Sequence, residues 1–318
     1  MSLLEVDSLE VFVGPPGRET RVLRDVSFSL EPGQTLGIVG ESGCGKSMMA
    51  LAVMGLLPSP SRMQGRIVLR GVDLTVSGAE NWRAQRGRHA AMIFQEPMTA
   101  LNPVLTVGFQ ISEMLALHEG LAPEAAWQGT VKLLEQVGIS EPVRRARAYP
   151  HELSGGMRQR VMIAMAMACR PELLIADEPT TALDVSVQAQ ILDLMLALQR
   201  DHGTALLFIS HNFGVISEMA DRVLVMYAGQ VVETGLAADV LADPRHPYTA
   251  GLMRTLPDLG QRQSRLPTIP GAVPDLARLP AGCSFQARCE RRSEACEVHE
   301  PRLLASAFPG RLVACHHA

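Results

Sequence analysis

Short apolar strands and longer amphipathic helices alternate along most of the chain. Val26–Leu30 alternates apolar and polar side chains, and Thr35–Val39 has the apolar run of a buried strand. Lys46–Leu57 predicts an apolar helix that Pro58 stops, and Gly65–Leu74 predicts a pair of strands. This order of elements predicts an α/β fold.

The middle of the chain, from about Thr99 to Glu152, is polar and helical in pattern, which predicts an inserted helical subdomain. After it the α/β alternation resumes. Val185–Asp201 predicts an amphipathic helix with its apolar side chains on one face: Ile191, Leu194, Met195 and Leu198. The other predicted elements are a helix at Ser154–Cys169, buried strands at Leu173–Asp177 and Ala205–Ser210, and a hairpin at Arg222–Glu233 that turns near Ala228 and Gly229.

The composition changes near Asp243. Residues 244–282 contain seven prolines, too many for regular elements, which predicts a linker that wraps a surface. Four of the six cysteines follow it, in the last 36 residues. We therefore predict one large domain over residues 1–243 and a small cysteine-rich extension, with its linker, over 244–318.

Length, composition and charge limit the classes of protein to which this chain could belong. The chain has 318 residues, 47% of them hydrophobic, so it can bury a sizeable core. Its net charge of −4 gives no basic surface for nucleic acid or anionic lipid. No apolar stretch approaches the roughly 18 to 20 residues that span a bilayer, and the N-terminus has no secretion signal. We expect a cytoplasmic protein that a partner must hold if it works at a membrane.

A glycine-rich loop predicts a phosphate site. Residues 40–47 read Gly-Glu-Ser-Gly-Cys-Gly-Lys-Ser, which fits G-x-x-x-x-G-K-[ST] between a strand and a helix. Backbone N–H groups would surround the phosphates, Lys46 would reach the β- and γ-phosphates, and the Ser47 hydroxyl would bind Mg²⁺. The predicted ATP-binding residues here are Gly40, Glu41, Ser42, Gly43, Cys44, Gly45, Lys46, Ser47 and Met48.

Two acids follow the predicted strand at Leu173–Asp177. Ligands gather at the carboxyl ends of strands in open α/β sheets, so Asp177 can hold Mg²⁺ there. Glu178 can orient and deprotonate an attacking water. Many buried strands end in an acid, but the phosphate loop upstream makes the pair specific.

Leu153-Ser-Gly-Gly-Met157 resembles the Leu-Ser-Gly-Gly-Gln signature of the ABC ATPases. Ser154, Gly155 and Gly156 open a helix and so form a second anion site. The resemblance implies a P-loop NTPase core of RecA-like fold, with an antiparallel β subdomain and an inserted helical subdomain. It also implies that the signature acts on the ATP of a second ATPase domain, in a head-to-tail pair.

The family's other motifs occur in the family's order. Gln95 matches the Q-loop, which senses Mg²⁺ and contacts the membrane partner; Ala182-Leu183-Asp184 matches the D-loop; His211 matches the switch histidine. The resemblance thus implies catalysis by Glu178, His211, Gln95 and Lys46, Mg²⁺ held by Ser47, Gln95 and Asp177, and Asp184 acting with the signature. Phe12 is the best candidate for the aromatic side chain that stacks on adenine.

Three further segments are similar to the peptide and nickel uptake branch of the family: Phe94–Pro103, the Met157 variant of the signature, and His246-Pro-Tyr-Thr249. This branch implies an importer subunit on the cytoplasmic face of the bacterial inner membrane. Its implied partners are two transmembrane permeases, a second and different ATPase chain, and indirectly a periplasmic solute-binding protein. Two rival interpretations are a soluble ABC ATPase that acts on DNA or ribosomes, and an exporter's ATPase. Coiled coils, a second cassette and a basic surface would favour the first, and the sequence shows none of them.

The four tail cysteines, Cys283, Cys289, Cys296 and Cys315, are also similar to this branch's C-terminal extension. Their spacings do not match common zinc sites, but four thiolates could hold a [4Fe–4S] cluster, which some members of the branch carry, or zinc. Free thiols are the remaining alternative. Because such a cluster would lie outside every ATPase motif, we expect its loss to damage the tail or assembly before nucleotide binding. Cys44 and Cys169 are expected to be small buried residues.

Overall fold

A computed structural model describes residues 2–76, 78–96, 100–181, 183–255, 268–306 and 310–318. The chain divides into two compact units. The first contains Met1–Leu3, Glu31–Gln34 and Val76–Leu207, and the second contains Leu4–Leu30, Thr35–Thr75 and Phe208–Ala318. The predicted division between residues 243 and 244 stays a prediction.

The second unit contains a four-stranded antiparallel sheet in the order β2-β1-β4-β5. Its strands are β1 (Leu4–Val13), β2 (Thr20–Leu30), β4 (Ser61–Leu69) and β5 (Val72–Asp73). Leu4 lies opposite Leu30 on one side and Leu69 on the other, and all three are buried. The alternating pattern at Val26–Leu30 thus belongs to a strand of this sheet, and one apolar face of the sheet lies in the core.

A parallel pair lies behind the phosphate loop in the same unit. Strand β3 (Thr35–Val39) is buried along its whole length, as predicted, and pairs in parallel with β9 (Arg222–Tyr227). Strand β9 turns into β10 (Gln230–Leu236) through Ala228 and Gly229, both in left-handed conformation, so the hairpin is confirmed. Two short strands near the C-terminus, β11 (Leu304–Ala305) and β12 (Leu312–Val313), add to β10.

The first unit contains the helical insertion. Strands β6 (Ala90–Ile93) and β7 (Leu173–Asp177) pair in parallel, and β7 is buried throughout, as predicted. The helices are α2 (Ala79–Gln85), α3 (Val107–Glu119), α4 (Pro123–Gln136), α5 (Pro142–Ala146), α6 (Gly155–Met167) and α7 (Val185–His202), with a 3₁₀ turn at Pro150–Glu152. The predicted helical subdomain is confirmed over its described residues, and Thr99 lies outside them.

One predicted helix needs a small adjustment, and one predicted strand needs none. Helix α7 buries Ile191, Met195 and Leu198 as predicted, but Leu192 is buried where Leu194 is only half-buried. Strand β8 (Ala205–Ser210), whose residues fall in both units, has the predicted bounds and is buried throughout.

The prediction of a helix from Lys46 to Leu57 is wrong in its length. Helix α1 covers Lys46–Val53. Gly55 takes a left-handed conformation, and its N–H donates to the carbonyl of Ala52 while Leu56 N–H donates to Leu51. This is a Schellman cap, which ends a helix at glycine before the following proline can act.

The prediction that residues 244–282 lack regular elements is also wrong. Helix α10 (Pro247–Arg254) lies in this segment, with Pro247 in its first turn, where a proline is favourable rather than disruptive. Residues 256–267 of the predicted linker lie outside the described part. The remaining elements of the second unit are helices α8 (Phe213–Met219), α9 (Ala237–Ala242) and α11 (Glu294–Val298), and 3₁₀ turns at Leu276–Arg278 and Gln286–Arg288.

Over the described residues, no helix is both long enough and apolar enough to cross a membrane.

Candidate functional site

The phosphate loop connects β3 to α1 in the second unit. Lys46 is the first residue of α1 and is only 5% exposed. Its Nζ donates to the carbonyl oxygens of Gly40 at 2.7 Å and Glu41 at 3.1 Å. The ammonium is therefore bound by the same loop whose N–H groups would receive phosphate, and its predicted contact with the β- and γ-phosphates stays a prediction.

Two glycines of this loop have no room for a side chain. A Cβ at Gly40 would lie 2.3 Å from the carbonyl oxygen of Met226 and 2.7 Å from Cys44 Sγ. Gly45 precedes α1 with φ +104°, a conformation that favours glycine. The loop thus depends on glycine for close approach at one end and for backbone conformation at the other.

Cys44 lies under the loop and is fully buried, so its predicted status as a small buried residue is confirmed. Burial raises the pKa of its thiol, and the nearby Lys46 ammonium only partly opposes this effect. The thiol therefore stays protonated at neutral pH. Cys169 is likewise buried, and burial raises its thiol pKa to about 11.

The catalytic acids belong to the first unit. Asp177 ends β7 and is 4% exposed. Glu178 follows with φ +47°, a conformation that is rare for a side chain of this size. Its Oε2 accepts hydrogen bonds from Gln95 Nε2 at 3.1 Å and Thr181 Oγ1 at 3.0 Å. The structure thus brings together Gln95 and Glu178, and it adds Thr181, which no motif in the sequence singled out.

The signature loop also belongs to the first unit and is open to solvent. Ser154 is exposed and caps α6, since its Oγ accepts the N–H of Met157 at 3.3 Å. A Cβ at Gly155 would meet nothing within 4 Å, and one at Gly156 would meet only the Val187 side chain. Ser154 and Gly155 are exposed, so the start of this helix is a candidate anion site that is open to solvent among the residues the structure describes.

Asp184 caps α7 and is exposed. Its Oδ1 accepts hydrogen bonds from Ser186 Oγ at 2.7 Å and Val187 N at 3.0 Å, and these bonds lower the pKa of its carboxyl. Ala182, the first residue of the same predicted motif, lies outside the described residues. So do Pro97, Met98 and Thr99 of the segment that follows Gln95.

The other predicted residues lie in the second unit. Ser42 and Gly43 are exposed on the phosphate loop, while Ser47 and Met48 are half-buried in the first turn of α1. His211 is exposed between β8 and α8. Phe12 is half-buried on β1, and the guanidinium of Arg62 lies 3.8 Å from the centre of its ring. One face of Phe12 is therefore already stacked on a cation.

The cysteine tail shows no metal site. None of the six cysteines forms a disulfide. Within the described residues, no group of three or more histidine, cysteine, aspartate or glutamate side chains is placed to hold a metal ion. The iron–sulfur and zinc expectations thus gain no support from these positions. Burial raises the pKa of the Cys283 thiol to about 11, and the other three tail thiols add to this rise.

The C-terminal extension lies outside every ATPase motif in the sequence but contacts the phosphate loop in the structure. Arg288, immediately before Cys289, forms an ion pair with Glu41 of the phosphate loop. Tyr248 accepts a hydrogen bond from the backbone N–H of Glu41 at 2.8 Å. Sequence reasoning noticed the segment around Tyr248 only as a mark of the family branch. A contact across more than 200 residues leaves no local pattern in a single sequence.

Mg-ATP fits the chemistry of these residues, taken unit by unit. In the second unit, backbone N–H groups, Gly43 with open space above it, and the Lys46 ammonium suit phosphate oxygens. In the first unit, Asp177, Glu178 and Gln95 offer the oxygen ligands that Mg²⁺ and its bound waters prefer.

Comparison with protein families gives two matches. Residues 23–181 match the model of the ABC transporter family, and residues 232–296 match that of the oligopeptide/dipeptide transporter C-terminal region. The first range contains the phosphate loop, the signature and the two acids. The second contains Tyr248 and Arg288.

Curated relatives match over nearly the whole chain. A dipeptide transport ATP-binding protein of Escherichia coli is 48% identical over 318 residues, which is 100% of this chain and 97% of that protein. An oligopeptide transport ATP-binding protein of Salmonella typhimurium is 48% identical, over 98% of this chain and 93% of its own. A putative peptide import ATP-binding protein of Brucella ovis is 50% identical, over 95% and 93%.

Solved structures agree on the fold. A dimeric ATP-binding cassette in a post-hydrolysis state, bound to ADP and phosphate, has a TM-score of 0.66 at 24% identity and covers 74% of this chain and 98% of its own. A subunit of an ABC transporter complex from Clostridium perfringens has a TM-score of 0.64 at 26% identity, over 76% and 91%. The predicted P-loop NTPase cassette is therefore confirmed.

Proposed function

Because this chain belongs to the ATP-binding subunits of ABC transporters, in their oligopeptide and dipeptide branch, we propose that it hydrolyses ATP to drive the uptake of peptides across the bacterial inner membrane. The observation that carries the proposal is 48% identity, over nearly the whole chain, to dipeptide and oligopeptide transport proteins. The contacts of Lys46 within the phosphate loop and of Gln95 with Glu178 support it. The match to the oligopeptide-type C-terminal region favours an importer over an exporter or an ATPase that acts on DNA or ribosomes.

We assign each predicted site residue a role in hydrolysis, and hydrogen-bond distances support the roles of Lys46, Gln95 and Glu178. Lys46 and the loop N–H groups bind the β- and γ-phosphates, and Ser47, Gln95 and Asp177 hold Mg²⁺, which supplies charge neutralisation at the phosphates. Glu178 orients the attacking water and accepts its proton at the carboxylate. Gln95 and Thr181 both donate to Glu178 Oε2, so they fix the carboxylate for this task. His211 stabilises the developing charge on the γ-phosphate, and Phe12 stacks on adenine.

The exposed signature supports a two-chain arrangement. Ser154, Gly155, Gly156 and Asp184 would act on the nucleotide of a partner ATPase, which we propose to be a different, related chain. ATP binding would close the pair and hydrolysis would reopen it. Two permease subunits would hold the pair at the cytoplasmic face of the membrane and receive its motion near Gln95. A periplasmic solute-binding protein would deliver the peptide.

Glu178→Gln in the assembled transporter tests the catalytic assignment. ATP binding should persist, while hydrolysis should fall by about 100-fold or more, the range of general-base contributions. Glu172→Gln is the matched control: this exposed glutamate precedes the same strand and contacts His89 at 3.1 Å, outside the site. Near-normal turnover in Glu178→Gln would contradict the assignment.

Reconstitution tests the transport function. Vesicles that contain this chain, its partner ATPase, the permeases and the solute-binding protein should accumulate labelled dipeptide only with ATP. The chain should pellet with membranes only when the permeases are present. Stimulation of its ATPase activity by DNA or ribosomes, without peptide uptake, would favour the rival class.

We also propose that the four tail cysteines bind a [4Fe–4S] cluster, with zinc as the alternative. Backbone N–H groups of Arg291 and His317 donate to the sulfurs of Cys289 and Cys315 at 3.3 and 3.4 Å and so act to lower the pKa of these thiols, but burial is the larger effect and raises it. A bound metal would have to displace the thiol protons. The thiols would have to close together around the metal, since as they lie here they form no ligand group. No step of hydrolysis depends on the cluster.

Anaerobically purified protein tests the cluster. It should absorb near 400 nm and contain about four irons per chain. Stoichiometric zinc without iron would replace the cluster with a zinc site. Four freely titrating thiols in folded, metal-free protein would contradict both.

A further inference from the structure

One residue of the phosphate loop, Glu41, has all its polar groups held. Its backbone N–H donates to Tyr248 Oη at 2.8 Å. Its carbonyl oxygen accepts from Lys46 Nζ at 3.1 Å. Its carboxylate accepts from Arg288 Nη1 at 2.7 Å and Nη2 at 2.9 Å. Two of these three polar groups thus bond to the C-terminal extension, and the third bonds to the phosphate-binding lysine itself.

The Arg288–Glu41 pair has the geometry of a strong interaction. Its two parallel hydrogen bonds match the planar guanidinium to the carboxylate. The Arg288 side chain is 4% exposed and that of Glu41 is 28% exposed. Arg288 Nε also donates to the carbonyl of Pro270 at 2.9 Å. A buried guanidinium is tolerated only when its charge and donors are satisfied in this way, so Arg288 has a fixed position.

The part of the extension that carries these contacts is itself firmly packed. Tyr248 is fully buried, and its ring lies 4.6 Å from that of Tyr227 and 5.4 Å from that of Phe285. The buried carboxylate of Glu233, on β10, accepts the backbone N–H of Arg245 at 2.9 Å and of His246 at 3.0 Å. The start of the extension is therefore tied to the sheet behind the phosphate loop.

We propose that Arg288 and Tyr248 are positioning residues for ATP binding: the C-terminal extension holds Glu41 so that the loop presents Lys46 and its N–H groups to phosphate with the Glu41 charge neutralised. The proposal rests on the assignment of this loop as the ATP site. Neither residue needs to contact the nucleotide.

The expected effect is electrostatic as well as structural. ATP brings several negative charges to a loop that contains one carboxylate. With Arg288 in place, that carboxylate is compensated before the nucleotide arrives. Without Arg288, the unpaired Glu41 carboxylate repels the phosphates. Glu41 is then also free to move, and its own carbonyl oxygen, which accepts a hydrogen bond from Lys46, moves with it.

Nucleotide affinity of the full-length chain, measured with a fluorescent ATP analogue, tests the proposal. Arg288→Met should raise the Kd about tenfold, the size expected for one uncompensated charge near a partly solvated site. Arg288→Lys, which keeps the charge but not the paired hydrogen bonds, should fall between parent and Arg288→Met. The double variant Glu41→Gln/Arg288→Met should recover to within about threefold of the parent, because a neutral side chain needs no counter-charge. In the assembled transporter, Arg288→Met should raise KM for ATP and leave kcat within about twofold.

Arg292→Met is the matched control, since this tail arginine forms an exposed pair with Glu297 at 2.9 Å and should leave affinity unchanged. If Arg288→Met fails to fold, Tyr248→Phe, which removes only the acceptor of the Glu41 N–H, should still weaken binding about threefold. Parental affinity in folded Arg288→Met or in Tyr248→Phe, or a double variant no better than Arg288→Met, would overturn the proposal. Lys46→Ala distinguishes failure of this proposal from failure of the ATP-site assignment on which it rests. If Lys46→Ala also binds ATP normally, the site assignment itself is wrong.

Discussion

The phosphate loop and the signature loop use the same chemistry in opposite surroundings. Both place a hydroxyl residue and glycines at the start of a helix, where free N–H groups attract anions. Around the phosphate loop, Met226, Cys44 and the C-terminal extension leave no space at Gly40 and hold Glu41. Around the signature loop, a Cβ at Gly155 meets nothing.

This difference indicates which loop is complete within one chain. A site that holds a nucleotide by itself needs its donors fixed in advance, because ordering them on binding costs affinity. The phosphate loop is fixed in this way. The signature loop is capped by Ser154, but Ser154 and Gly155 are exposed to solvent, which suits a site that a second chain completes. Each prediction below tests one side of this comparison.

The largest expected difference is in ATP binding by the isolated chain. Lys46→Ala removes the buried ammonium and should weaken binding by about 30-fold or more, as for truncation of one member of a charged, hydrogen-bonded pair. Ser154→Ala should leave binding within about twofold, because its hydroxyl would serve another chain's nucleotide. Isothermal titration with Mg-ATP measures both. Equal losses in the two variants would mean that the loops act on one nucleotide.

The next difference is in the free energy of unfolding, which alanine should lower in the phosphate loop and leave unchanged or raise in the signature loop. Gly40→Ala places a methyl group 2.3 Å from a backbone oxygen and should lower the free energy of unfolding by about 3 kcal/mol. Gly155→Ala, in open space within the first turn of α6, should leave it unchanged or raise it by up to about 1 kcal/mol. Urea unfolding of both variants measures these changes. A Gly40→Ala variant as stable as the parent would show that the phosphate loop is not tightly surrounded.

The third difference concerns the extension beside the phosphate loop, where stability should depend on pH. His246 is 2% exposed, its Nδ1 accepts the N–H of Tyr248 at 3.1 Å, and burial lowers its pKa to about 3. The unfolded chain has the ordinary pKa of about 6.5 and so binds more protons between these values. The stability from neutral His246 is thus full above pH 6.5 and is lost as pH falls toward 3, by up to about 1.4 kcal/mol per pH unit.

His246→Asn keeps a side-chain acceptor for the helix N-terminus and removes this titration. Its free energy of unfolding should therefore fall less steeply between pH 6.5 and 4 than that of the parent. Parallel slopes would mean that His246 is not buried in its neutral form. The same measurement on Glu172→Gln should follow the parent, since that exposed side chain lies outside the extension.

The same contrast explains what the sequence could predict. The phosphate loop, the signature and the strand before Asp177 are local patterns, so their elements and their order were predictable from adjacent residues. The family resemblance named Gln95 and Glu178 separately, and the structure adds that the two side chains are hydrogen-bonded. The ion pair between Arg288 and Glu41 joins residues that are 247 positions apart, and only the folded chain reveals it.

The errors have physical causes as well. Gly55 ended α1 earlier than Pro58 could, because a left-handed glycine closes the last turn with its own hydrogen bonds. Proline content suggested an irregular segment after Asp243, but Pro247 lies in the first helical turn, where a missing N–H costs nothing.

The most direct test of the account is a measurement on the assembled transporter that follows the nucleotide of each ATPase chain separately. Ser154→Arg in this chain fills the open signature loop with a large side chain. After labelling with a photoreactive ATP analogue, this chain should be labelled within about twofold of the parent. The partner's nucleotide should remain unhydrolysed, with turnover there reduced about 100-fold, as for loss of a preorganised anion site. Loss of labelling on this chain, with normal turnover on the partner, would contradict the account.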